Sequence, residues 1–199
     1  MNVVEIHTND IDVENRVIYL HGVEPIEGEE PGVDYRMSSK FIKNMNILTM
    51  MSHDPIYIHM NTVGGEWSYG MAIYDAIMLC PCEVTIVAYS WARSMSSIIF
   101  QAADHRVIMP NACFMVHWGT SYVSGHYMAV RSGVEFDAKT EKTMLDIYAK
   151  NCVNGPYFTK ANMSLQQVSD YIEDKITRKS DWWLTAEEAV EYGFADRIA

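Results

Sequence analysis

Three side chains far apart in the sequence, Ser94, His117 and Asp181, have the chemistry of acyl transfer. A serine hydroxyl is a weak nucleophile until a base takes its proton. A histidine ring can be that base, and a carboxylate can hold the ring's second nitrogen. Ser94 sits in "VTIVAYSWARSMSS", where an apolar run meets the polar knot Arg93-Ser94-Met95-Ser96-Ser97. Apolar residues resume at Ile98, so the pattern predicts a strand-to-helix junction with Ser94 at the top of a sheet. Met95 would then open the helix with a free backbone N–H, able to receive an oxyanion. The competing reading is helix capping by Ser94 or Ser96, because serine is a favoured N-cap. The strict G-x-S-x-G signature of α/β hydrolases is absent, since the stretch reads Ala92-Arg93-Ser94-Met95-Ser96.

His117 closes the apolar stretch "NACFMVH". That is the C-terminal edge of a strand, where open α/β sheets bind ligands. A structural edge histidine would look the same. Asn61-Thr62-Val63-Gly64-Gly65 follows one predicted strand and precedes a helix. The two glycines let backbone approach a ligand closely and offer N–H donors. A plain turn is the alternative there. Asp181 stands just before Trp182 and Trp183, so it is expected under apolar cover; a surface acid is the alternative.

The elements that must position these residues alternate. Strands are predicted at 16–20, 55–60, 83–89, 106–109 and 112–117. Helical spacing marks 38–51, 67–79, 126–152 and 164–173, with Gly133 a weak point in the long one. Residues 22–32, rich in Glu, Pro and Gly, predict a loop. Thr185 and Glu188 form a capping box that opens a last helix, and Gly193 stops it. Alternation of this kind predicts an α/β fold with a largely parallel sheet. No internal repeat or low-complexity linker divides the 199 residues, so one domain, 1–199, is expected.

A net charge of −11 with no Lys/Arg cluster argues against nucleic-acid binding. No apolar run reaches the roughly 18 residues of a membrane span, and the N-terminus lacks a signal-peptide pattern. A cytoplasmic chain is therefore expected. Cys80-Pro81-Cys82 is too tight for the usual zinc spacing, so Cys80, Cys82, Cys113 and Cys152 read as free, mostly buried thiols. No metal or organic cofactor is implied.

Four stretches taken together resemble one family, ClpP, the proteolytic subunit of the caseinolytic (Clp) protease. "IYIHMNTVGGEWSYGMAIYDAI" is similar to its strand, Gly-Gly turn and Gly-Met-x-Ile-Tyr-Asp helix. "VTIVAYSWARSMSS" resembles its nucleophile segment, and "MPNACFMVHWG" its Pro-Asn…Met-x-His segment. "DWWLTAEEAVEYGFAD" resembles its C-terminal signature, the most specific of the four. The resemblance runs from about Arg16 to the end of the chain.

It implies a ClpP/crotonase-like superhelix of ββα units with a protruding helical handle at about 126–152. It implies a serine endopeptidase with Ser94 as nucleophile, His117 as base and Asp181 as orienting carboxylate. Gly65 and Met95 would donate backbone N–H groups to the oxyanion, and Gly64, Gly65 and Glu66 would bind the substrate strand. Implied partners are polypeptide substrates, other copies of the chain in a heptameric ring (single or stacked in pairs), and an AAA+ unfoldase ATPase. On the handle, Phe136, Met144, Ile147 and Tyr148 are expected to face a partner, and Lys139, Glu141 and Lys142 to face water. The chain departs from the family at Val63, usually Pro, at Arg93, usually small, and along "WGTSYVSGHYMAV" after the histidine. The short segment 1–15 matches the family poorly.

Four rivals remain at this point. Crotonase-type acyl-CoA chemistry shares the fold but lacks such a triad. A ring subunit could be non-catalytic. A phage- or organelle-type maturation protease could carry the same triad. A Ser-Lys peptidase could use Lys139 or Lys142 as base.

Overall fold

A computed structural model describes residues 3–22 and 32–199. Most of the predicted loop at 22–32 lies outside the described residues. After helix α1 (Val3–Asn9), β1 (Ile11–Asp12) pairs antiparallel with β2 (Val17–His21). From β2 onward the body of the sheet is parallel: β3 (Ile56–Thr62), β4 (Val84–Arg93), β5 (His105–Ile108) and β8 (Arg197–Ile198) follow in that order. Along β3 the period of two is clear. Ile56, Ile58, Met60 and Thr62 point inward while Tyr57, His59 and Asn61 point outward.

Helix α2 (Tyr35–Met51) starts at Asp34, whose carboxylate accepts from the Met37 N–H at 2.9 Å. Burial raises the Asp34 pKa, but the N–H of Met37 and the Arg36 guanidinium lower it more, so it stays below the usual carboxylate value. Phe41, Met45 and Leu48 form the buried stripe of α2. Each is worth about 1.5–3 kcal/mol when covered. Helix α3 (Trp67–Met78) buries Gly70, Ile73 and Ile77, and α4 (Met95–Phe100) is buried throughout.

The sequence suggested that β4 ends near Tyr89. The strand runs on to Arg93 because it changes partners. Thr85–Ala88 pair with β5, and Trp91–Arg93 then pair with β6 (Cys113–Val116). β6 pairs on its other side, antiparallel, with β7 (Trp182–Leu184).

Helix α5 (Tyr127–Cys152) takes its N-cap from His126 and passes through Gly133 without a break. A Cβ at Gly133 would lie 2.6 Å from the Val123 side chain, so this glycine lets the preceding loop pack on the helix. The expected partner-facing set on α5 is corrected in part. Met144, Ile147 and Tyr148 are buried in the chain's own core, while Phe136 is exposed. Lys139, Glu141 and Lys142 do face solvent. A short α6 (Pro156–Lys160) precedes α7 (Leu165–Lys179), which runs six residues past its predicted end at 173. Its buried stripe Val168, Ile172 and Ile176 continues beyond that point. Helix α8 (Ala186–Glu191) carries the predicted reciprocal box. The Thr185 N–H donates to Glu188 at 2.9 Å and the Glu188 N–H to Thr185 at 3.3 Å. Gly193 follows at φ +80°, a conformation suited to glycine.

Among the described residues no helix is long and apolar enough to cross a membrane. No cluster of His, Cys, Asp and Glu among them could hold a metal ion. The four cysteines are free thiols, with Cys82 and Cys152 buried and Cys80 and Cys113 partly so.

Candidate active site

Strand register brings the three side chains together. Arg93 on β4 stands opposite Met115 on β6, so Ser94 and His117 leave neighbouring strand ends. The Ser94 N–H donates to the Met115 carbonyl at 3.1 Å, tying the two ends. Val116 stands opposite Trp182 on β7, so the next antiparallel pair places Asp181 beside His117. The result is a Ser94 Oγ–His117 Nε2 hydrogen bond of 2.9 Å and a His117 Nδ1–Asp181 Oδ1 distance of 3.3 Å.

Ser94 occupies the N-cap position of α4, yet its side chain makes no capping bond. Its hydroxyl is turned to the histidine instead. Ser94 has φ 52° and ψ −133°, a conformation that side-chain-bearing residues rarely adopt and that its surroundings must enforce. Ser96 serves that turn. Its Oγ accepts from the Arg93 N–H at 3.0 Å and lies within donating distance of the Thr62 and Arg93 carbonyls, at 2.8 and 2.7 Å.

The Gly64-Gly65 segment passes directly against the turn. A Cβ on Gly64 would lie 2.7 Å from the Ser94 Cβ and 2.8 Å from the Met95 nitrogen. Val33 holds the segment from the other side. The Val33 N–H donates to the Gly64 carbonyl at 2.6 Å, and the Glu66 N–H donates to the Val33 carbonyl at 2.9 Å. This parallel bridge uses the groups on either side of Gly65 and turns Gly65's own N–H to the opposite side. Met95 opens α4, so its N–H has no intrahelical acceptor. Its side chain is buried in a notch that Gly70 leaves open, since a Cβ there would lie 2.1 Å from the Met95 side chain. Gly64→Ala should therefore destabilise the chain by about 1–3 kcal/mol, because the residue sits at φ +97° against backbone atoms that cannot swing away. Thermal unfolding checks this; an unchanged melting temperature would mean that the segment yields without cost.

A cleft of about 1330 Å³ opens over these groups. Gly65, Glu66, Ser94 and His117 line it, and Ile98 and Met144 add apolar side chains to the lining. Lys139 and Lys142 are not among the described residues lining it. Burial pushes the Cys152 thiol pKa well above its ordinary value, so this cysteine is no nucleophile.

The predicted cover over Asp181 is only partly formed. Trp182 turns into an aromatic cluster with Tyr171, Tyr192 and Phe194, whereas Trp183 faces outward, edge-on to Trp91 at 6.1 Å. Alternate residues of a strand point to opposite faces, so Trp182 points away from the side that Asp181 and Trp183 share. The Asp181 side chain is 48% exposed and that of His117 is 23% exposed. Water therefore competes for the carboxylate. Sequence reasoning placed Tyr148, Thr62 and Gly70 in other roles: Tyr148 on a partner-facing surface, Thr62 in the Gly-Gly turn and Gly70 in the helix after it.

The Clp protease family model matches residues 29–199. "ATP-dependent Clp protease proteolytic subunit 2" of Pseudomonas aeruginosa is 28% identical over 171 residues, covering 84% of this chain and 77% of that protein. The subunit of the same name from Mycolicibacterium paratuberculosis is 31% identical over 157 residues, covering 76% and 71%. Among solved structures, a point mutant of ClpP1 from Listeria monocytogenes superposes with a TM-score of 0.73 at 20% identity, covering 99% of this chain and 96% of that one. The fold is thus the ClpP fold predicted from the sequence, and the chain belongs to the Clp protease family.

Proposed function

We propose that this chain is a serine endopeptidase that cleaves polypeptides through an acyl-enzyme on Ser94. The observation carrying this reading is the 2.9 Å hydrogen bond between Ser94 Oγ and His117 Nε2 at a strained strand-to-helix turn. With Asp181 facing Nδ1, the neutral ring carries its proton on that nitrogen and turns the Nε2 lone pair to the serine. His117 takes the Ser94 proton as Oγ attacks the scissile carbonyl. The carbonyl oxygen, now an anion, is received by the N–H groups of Gly65 and Met95. His117 next returns the proton to the leaving amine, the acyl group stays on Ser94, and water activated by the same ring releases it. Of the expected substrate-binding set, Gly65 has backbone groups directed away from Val33, while the Gly64 carbonyl and Glu66 N–H are already bonded to it. Glu66 contributes to the cleft wall.

This reading disfavours the rivals on particular residues. A Ser-Lys pair needs a lysine at the serine, and the described cleft has none. Crotonase-type chemistry leaves the Ser94–His117 bond without a purpose. The test is hydrolysis of short fluorogenic peptides by the purified chain, with measurable turnover the expected result. Absence of turnover in an assembled, folded sample would favour the non-catalytic ring subunit.

Assembly is part of the proposal. Tyr122, Tyr127, Met128, Val134 and Phe136 leave apolar surface exposed before and along the first half of α5. Family membership supports self-association into a ring, with seven subunits the expected number. The bacterial relatives are named ATP-dependent, which supports an unfoldase ATPase as partner for folded substrates. Native mass spectrometry at micromolar concentration should show a seven-subunit species or its stacked double. A species of one 22.7 kDa chain throughout a salt series would contradict the ring.

A further inference from the structure

We infer that Ser97, backed by Tyr148, is a positioning residue that aims the Met95 N–H at the site of the oxyanion. The inference rests on Ser94 being the nucleophile. Ser97 and Tyr148 are both fully buried, 51 residues apart in sequence, and their hydroxyl oxygens lie 2.7 Å apart. Ser97 Oγ also lies 2.6 Å from the Ser94 carbonyl oxygen. A carbonyl only accepts, so Ser97 donates its single proton there. The Tyr148 hydroxyl must then donate to Ser97. Burial pushes the Tyr148 pKa far above its ordinary value, which keeps this donor protonated. The chain of donors runs in one direction, from α5 to Ser97 to the nucleophile's own carbonyl.

The Ser94 carbonyl and the Met95 N–H belong to the same planar peptide unit, so fixing one aims the other. The planes flanking Ser94 need fixing, because φ 52° and ψ −133° give that residue no local preference for this shape. A backbone bond from the Ser97 N–H at 3.0 Å also reaches the Ser94 carbonyl. The hydroxyl adds a second, shorter donor. Two donors on the carbonyl polarise the peptide unit and make its N–H a stronger donor in turn. Tyr148 lies on α5, one turn beyond Met144, which lines the cleft, so the nucleophile turn is joined to the cleft lining through this helix.

A hydroxyl that merely fills a polar gap would affect stability alone. A hydroxyl that aims an oxyanion donor affects the transition state more than the ground state. The test compares wild type, Ser97→Ala, Tyr148→Phe and the double variant. It measures kcat, KM, melting temperature and affinity for a peptide boronate, which forms a tetrahedral anion on the serine. For Ser97→Ala, kcat should fall by roughly 10–100-fold, less than the loss on removing an oxyanion donor outright. KM should stay within about twofold, and boronate affinity should weaken by about the same factor as kcat. Tyr148→Phe keeps the ring and leaves Ser97 without its own donor, so it should show a smaller loss of the same pattern. The double variant should be no worse than Ser97→Ala, because the two act as one relay. Losses in melting temperature with kcat and boronate affinity unchanged would overturn the inference, as would fully additive losses. Should Ser97→Ala fail to fold, the kcat-to-boronate match in Tyr148→Phe decides alone. Failure of the parent reading looks different, because wild type itself would neither turn over peptide nor bind the boronate.

Discussion

Ser94→Ala should abolish peptide hydrolysis, with turnover falling by about 10⁶-fold. The chain should fold and assemble as before. The Ser94 side chain makes no capping bond, and its hydroxyl's described partner is His117 Nε2, so little structure depends on it. The strained backbone at this position is kept, because alanine meets the same steric limits as serine there. Residual activity should reflect the Gly65 and Met95 donors alone. Near-normal hydrolysis by Ser94→Ala at unchanged melting temperature would show that the attacking group lies elsewhere.

His117→Ala should cost nearly as much, again on the order of 10⁶ in turnover. Groups that act as a unit lose their effect together, so Ser94→Ala combined with His117→Ala should be scarcely worse than either alone. Asp181→Asn should cost less than either, at most about 10⁴-fold through the wrong ring tautomer. Its carboxylate is 48% exposed and 3.3 Å from the ring, so water can partly take its place.

The spacing of these residues was readable because each closes or opens an element whose apolar run is plain. Val84–Ala88 announces a strand, Phe114–Val116 another, and the Thr185–Glu188 box marks the start of the helix after Asp181. Other features come from tertiary pairing and leave no local mark. β4 continues past Tyr89 only because β6 offers Trp91–Arg93 a new partner. Trp182 and Trp183 were expected to shelter Asp181, but the two-residue period of β7 sends one into the core and one outward. On α5 the sequence shows an amphipathic helix without showing which surface it meets, so Met144, Ile147 and Tyr148 could be assigned to a partner and prove to be core. The serine knot could be recognised as unusual. That Ser96 and Ser97 brace the turn from β3 and α5 depends on Thr62 and Tyr148, residues that sequence proximity does not connect.

Active-site labelling tests the nucleophile most directly. The purified chain is treated with a fluorophosphonate, weighed intact, and digested to locate the adduct. The expected result is one phosphonyl group per chain on Ser94, lost in Ser94→Ala and slowed strongly in His117→Ala. A chain that hydrolyses peptides yet takes no label, or takes it on another residue, would contradict the assignment of Ser94.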